Sequence, residues 1–206
     1  MWELFISAFI TLFVVIDPPG CAPIYASLTG NATAKQAFSM AVRACLIATG
    51  ILLVFALFGE DLLGALHIEL DSFRIAGGIM LFLIALDMVF EKRTERREER
   101  AEKVRNTQPQ VEDVSVFPMA MPMLAGPGSI ASVMLLTSKA RGVEETAVIL
   151  SALGVVMLMS FIALVAARPL IRALGSQVEA VITRLLGVLL AALAAQFVID
   201  GIRAQF

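Results

Sequence analysis

The chain has 206 residues, 59% of them hydrophobic and only 17% charged, with a formal net charge of −2 and a mean hydropathy of +0.86. Soluble domains lie nearer half apolar and a quarter charged, so an ordinary water-soluble fold is excluded. Seven Lys/Arg and seven Asp/Glu fall in one central segment, 91–113, whose charge balances and which has no aromatic residue, so nucleic-acid binding is not expected either.

Six apolar segments follow one another, roughly 3–28, 37–59, 73–90, 116–137, 146–167 and 181–202. Each approaches or exceeds the ~20 residues that cross ~30 Å of hydrocarbon as a helix. None alternates in polarity as a lipid-facing barrel strand does. Backbone polar groups in lipid must be satisfied internally, so these segments are expected to be transmembrane helices.

The first segment has Glu3 as its only early charge, and Pro18-Pro19-Gly20 makes a poor cleavage site, so residues 4–16 read as a retained span rather than a signal peptide. Its second half, VIDPPGCAPIY (15–25), interrupts the apolar run with three prolines, a glycine and Asp17. Proline removes a donor and clashes with the preceding turn, so a broken helix is expected here. Asp17 is the one acid well inside a span. It has two readings: a cap for the half-helix that follows, with Pro18 at the favoured first position, or a contact for a ligand or proton. Cys21 and Cys45 lie in apolar surroundings, belong to no C-x-x-C pair, and read as small buried hydrophobes. His67, the only histidine, falls in a loop, which disfavours a proton relay.

The central segment, EKRTERREERAEKVRNTQPQVED, reads as a solvated connector, helical in its first half. Beyond it, the fourth span carries a second break at Ala125-Gly126-Pro127-Gly128-Ser129. The two halves align around these breaks. PGCAPIYASLTG (19–30) matches PGSIASVMLLTS (127–138) at Pro19/Pro127, Gly20/Gly128, Leu28/Leu136 and Thr29/Thr137. RIAGGIMLFLIALDMVFE (74–91) matches RLLGVLLAALAAQFVIDG (184–201) at Arg74/Arg184, Gly77/Gly187, Leu83/Leu193 and Ala85/Ala195. Three spans per half put the repeats in opposite directions, an inverted-topology pair of the kind found in secondary transporters. The expected architecture is thus all-α: a single transmembrane domain, repeat one over 1–90, a linker over 91–114 and repeat two over 115–206, with helices 1 and 4 broken at Pro-Gly motifs.

Twelve of the sixteen Lys/Arg lie on the side of the central loop and four on the other. The positive-inside rule then makes loop 91–114 cytoplasmic and both termini external. Arg74 and Arg184 read as snorkelling to the interface.

A half-helix that starts inside a membrane exposes N–H groups and a partial positive charge, which suits an anion. Breaks at Pro19-Gly20-Cys21 and Pro127-Gly128-Ser129, related by an inverted repeat, are expected to approach each other near the midplane. The carbonyls before each break present the opposite dipole end, so the place suits a zwitterion, its ammonium on carbonyls or on Asp17. Gly20, Gly126 and Gly128 would let a small solute touch the backbone. Thr29, Thr137 and Gln196 are weaker candidates for polar support, each with a structural alternative. No Ser/His/Asp set, zinc spacing or phosphate loop occurs, so neither an enzyme nor a metal or organic cofactor is expected; coupling to a proton or sodium ion stays open. Small residues on the third and sixth spans (Ala76-Gly77-Gly78; Ala191, Ala192, Ala194, Ala195) allow close packing within a chain or in a homo-oligomer.

The blocks DPPGCAPIY, FRIAGGIMLFLIALDMVF, VFPMAMPMLAGPGSIASVML and RLLGVLLAALAAQFVIDGI together resemble the MarC family of bacterial membrane proteins, which overlaps with the small neutral amino acid transporters called SnatA. The resemblance covers nearly the whole chain outside the charged loop. It implies a six-helix inner-membrane protein with two inverted three-helix repeats, related to LysE-type exporters. Carried over residue by residue, it implies a substrate site at Asp17, Pro18, Gly20 and Cys21 in the first motif and at Gly126, Pro127, Gly128 and Ser129 in the second. The chain departs from the family at Cys21, where many members have Asn, and at Tyr25, where Phe is common. The leading expectation is a secondary transporter or exporter of glycine, alanine or a similar solute. The alternatives are export of another metabolite or a drug, and a non-transporting membrane partner whose breaks are only packing kinks.

Overall fold

The computed structural model describes residues 1–90, 96, 98, 99, 102 and 113–205, and among them there is no β-strand. Helices α1 (Trp2–Ile16) and α2 (Pro18–Leu28) form one broken 27-residue span. Helix α3 (Ala34–Ala65) starts at a capping box in which the Thr33 hydroxyl accepts from the Gln36 N–H and the Gln36 side chain accepts from the Thr33 N–H. At 32 residues it is about 48 Å long at 1.5 Å per residue, so it runs well past the hydrocarbon. Helix α4 (Leu70–Val89) completes the first half. The second half has the prolyl segment Ser115–Leu124, then α5 (Pro127–Thr137), α6 (Val143–Val165) and α7 (Ala167–Gln205).

The helical positions follow the expected spans, α3 running six residues past the expected end at 59, with two further differences. The apolar stretch of the sixth span continues a helix that already begins at Ala167, so α6 and α7 are separated by Ala166 alone. The first half of the fourth span is not a regular helix. Phe117 (φ −127°, ψ 128°) and Met121 (φ −131°, ψ 124°) are extended inside it. Each precedes a proline, whose ring disfavours the α conformation in the residue before it. The turns between them close through wider bonds, from the Met119 N–H to the Val114 carbonyl and from the Ala125 N–H to the Ala120 carbonyl. The prolyl segment and α5 meet at a bend of 52°. Most of residues 91–114, the expected linker, lies outside the described residues; Arg96, Glu98, Glu99 and Glu102 are helical and exposed.

The helices bury small and aliphatic side chains inward and leave large ones such as Leu46, Phe58, Leu83, Leu158 and Leu185 exposed outward. An apolar exterior of this extent is what a lipid-facing surface requires. Helix α4 lies antiparallel along α7 over much of its length, α1 and α2 pack on α6, and α3 packs on the prolyl segment and α5. Exchanging the two halves maps these pairings onto each other. The α4–α7 approach depends on small residues: a Cβ on Gly187 would lie 2.9 Å from the Met88 Cβ and 3.1 Å from the Ala85 carbonyl oxygen. Close backbone contact replaces the hydrophobic drive that lipid cannot supply.

Charged contacts collect at two ends. Arg43 of α3 bonds Asp113 (2.5 Å) just before the prolyl segment. Lys139, after α5, bonds Asp200 of α7 (2.5 Å), close to the Arg74–Asp71 pair at the start of α4. Five helices are long and apolar enough to cross a membrane, and the prolyl segment with α5 makes a sixth if that bent pair is one span.

Candidate functional site

At the first break, Asp17 adopts the left-handed conformation (φ 58°, ψ 65°), which Asp tolerates better than most residues. Its N–H donates to the Phe13 carbonyl and closes α1, while its carbonyl accepts from the Cys21 N–H and opens α2. The carboxylate accepts from the Gly20 N–H at 3.1 Å, so Asp17, 2% exposed, caps α2 with Pro18 in the first turn. The prolines remove the donors that the Val14 and Val15 carbonyls would take in a continuous helix. The Cys21 thiol points back to the Ile16 carbonyl at 3.6 Å.

The second break is built differently. Helix α5 starts at Gly126 and Pro127 with no side-chain cap, and its first internal bond runs from the Ile130 N–H to the Gly126 carbonyl. The Gly128 and Ser129 N–H groups therefore sit in the first turn, where no intrahelical acceptor exists. Gly126 cannot carry a side chain, because a Cβ there would fall 2.4 Å from the Pro122 carbonyl oxygen. A Cβ on Gly128 would fall 2.4 Å from the Ile84 Cδ1 and 3.4 Å from the Val15 Cγ1. The two breaks thus abut, and they do so beside Leu81 and Ile84 in the second half of α4.

A cavity of about 260 Å³ opens at this junction. Gly126, Pro127, Gly128 and Ser129 line it, together with Pro122 and Met123 of the prolyl segment. From the first break the wall takes Val15; Asp17, Pro18, Gly20 and Cys21 are buried and do not line it. Helix α4 supplies Met80, Ile84 and Asp87, and Arg96 pairs with the Asp87 carboxylate at the rim. Asp87 is not among the residues that the sequence marks for the site. The spacing of Met80, Ile84 and Asp87 at i, i+4 and i+7 was the available signal, since it sets all three on one helical face.

The remaining candidates lie elsewhere. Thr137 donates to the Val133 carbonyl (3.0 Å) within α5, and Gln196 donates to Asp200 (2.7 Å). Thr29 donates to the Tyr25 carbonyl (2.7 Å) and borders a second cavity, of about 290 Å³, between α2, the start of α3 and the end of α6. The Tyr25 hydroxyl donates to the Ala37 carbonyl, so tyrosine at this position ties α2 to α3 rather than only filling space. Among the described residues no group of three or more His, Cys, Asp or Glu could hold a metal ion.

Comparison with known proteins gives a consistent picture. The model of the MarC family integral membrane proteins matches residues 2–206. A UPF0056 membrane protein of Methanocaldococcus jannaschii is 34% identical over 98% of this chain and 97% of its own length. UPF0056 membrane proteins of Bacillus subtilis and Escherichia coli are 30% and 32% identical, each over 100% of this chain and over 97% and 94% of their own lengths. No solved structure matches.

Proposed function

The chain belongs to the MarC family of integral membrane proteins, and from that premise we propose that it is a secondary transporter or exporter of small neutral amino acids such as glycine and alanine. One observation carries the reading: the uncapped start of α5 opens into a cavity at the junction of two broken spans. Half-helix ends at membrane depth are tolerated where they line a polar cavity, and transporters use them for substrate and ions. The Gly128 and Ser129 N–H groups take the substrate carboxylate, occupying on α5 the place that the Asp17 carboxylate occupies on α2. Acceptor groups across the cavity take the ammonium. A volume of about 260 Å³ lies below the ~300–1,000 Å³ of drug-sized sites, which favours a small solute over a drug.

In this proposal the protein sits in the plasma (inner) membrane as two inverted three-helix repeats, with both termini outside and residues 91–114 in the cytoplasm. The test is uptake of labelled glycine and alanine into proteoliposomes, with and without a proton or sodium gradient. Gradient-dependent accumulation is expected. No movement of either amino acid under any gradient would remove the substrate assignment.

A further inference from the structure

The geometry points to Asp87 of α4, not Asp17, as the residue that recognises the cationic group of the substrate. The inference rests on the proposed amino acid transport and names the acceptor that it needs. Asp17 lies in a deep span but spends its carboxylate on the Gly20 N–H and does not line the cavity. Among the described lining residues, Asp87 carries the only carboxylate and Arg96 the only cation. Asp87 stands three residues beyond Ile84, about 4.5 Å of helix rise, and Ile84 is the residue that touches the Gly128 position. The carboxylate and the open α5 start are therefore both on the walls of one small cavity. The opposed signs, a helix N-terminus and an acid, match a zwitterion whose two charged groups are carried on one carbon atom.

Asp87 already holds a cation. The Arg96 guanidinium pairs with it, the two side chains being 60% and 21% exposed for Arg96 and Asp87. The Arg96 side of the pair is mostly exposed, and pairs open to solvent on one side are weakly held, so a substrate ammonium can replace the guanidinium. The substrate thus competes with an internal cation, and binding frees Arg96.

Equilibrium binding to the purified full chain in lipid nanodiscs tests this with three probes: alanine, ethylammonium and propionate. Asp87→Asn is expected to weaken alanine about tenfold or more, the usual consequence of losing a charged hydrogen-bond partner, and to leave propionate unchanged. Asp87→Glu should keep most of the alanine affinity, which also serves as the check on folding. Arg96→Gln is expected to tighten alanine severalfold, because it removes the competitor. A merely structural ion pair would make Asp87→Asn and Arg96→Gln weaken binding alike, and that result would overturn the inference. So would alanine binding equally to wild type and Asp87→Asn, although amino acid transport would then survive. If wild type binds ethylammonium but not alanine, and Asp87→Asn abolishes it, the role of Asp87 stands and the amino acid reading falls. If wild type binds none of the three, both fall.

Discussion

The Cγ1 of Val15 lies 3.4 Å from the point where a Cβ on Gly128 would stand, so the two broken spans touch at their breaks. The nearer neighbour of that point is the Ile84 Cδ1 at 2.4 Å, the far end of a flexible side chain. Gly128→Ala is expected to be accommodated by movement of Ile84 and to keep partial alanine transport, improved by adding Ile84→Ala. Gly128→Leu has no such outlet and should abolish transport while membrane insertion persists. Transport assays paired with membrane-fraction blots check this; full transport by Gly128→Leu would remove the cavity from the mechanism.

Asp17 separates capping from titration. Asparagine caps a helix about as well as aspartate, whereas alanine costs about 1 kcal/mol. For a chain of this size that is roughly 2–4 °C in melting temperature. Asp17→Asn should therefore melt in detergent with the wild type and still transport, and Asp17→Ala should melt lower. Loss of transport in Asp17→Asn at unchanged stability would show that the carboxylate does more than cap.

The α4–α7 seam gives a stability prediction independent of transport. A side chain at Gly187 meets the Met88 Cβ and the Ala85 carbonyl, neither of which can swing away. Gly187→Leu should destabilise the protein by about 1–3 kcal/mol, as overpacking does. Gly154, which has nothing within 4 Å of its Cβ position, should accept Gly154→Ala without loss. Thermal unfolding of both variants in detergent is the measurement.

Orientation can be read chemically. Cys21 and Cys45 are both buried, so an impermeant thiol reagent has little native background. Lys139→Cys is expected to react in intact cells, and Asp113→Cys only after permeabilisation. The reverse pattern would place the central loop outside.

The Arg43–Asp113 contact carries a pH dependence. Partial burial raises the Asp113 pKa, but hydrogen bonds from Ser115 and the Arg43 charge outweigh it and hold the carboxyl below its ordinary value. A depressed acid stabilises the fold above its unfolded pKa, and that contribution disappears as the pH falls through the folded value. The melting difference between wild type and Asp113→Asn should thus be constant from neutral pH to about 5, begin to shrink as the pH reaches the ordinary Asp value of about 4, and vanish only once the pH has fallen through the lower folded value. It will be small, because exposed pairs contribute about 0–1 kcal/mol.

Hydropathy and proline placement are local properties, and they were enough to locate every span and both breaks. Pro18 and Pro127 start half-helices wherever the chain puts them, since a missing N–H acts on its own helix. The irregular half of the fourth span was legible in principle, because Phe117 and Met121 each precede a proline. The position of Asp17 within a span was legible, but its role was not: a cap and a ligand contact have the same sequence.

What the sequence determined alone is the set of apolar helices, their interruptions and the charge asymmetry between their ends. Tertiary packing decided that Val15 meets Gly128, that Gly187 seats α7 on α4, and that Asp87 rather than Asp17 faces the cavity. The reason is geometric. Composition sets whether a segment is a membrane helix, but in an all-apolar helix the pattern does not mark which face meets which neighbour; that is set by where small residues let backbones approach.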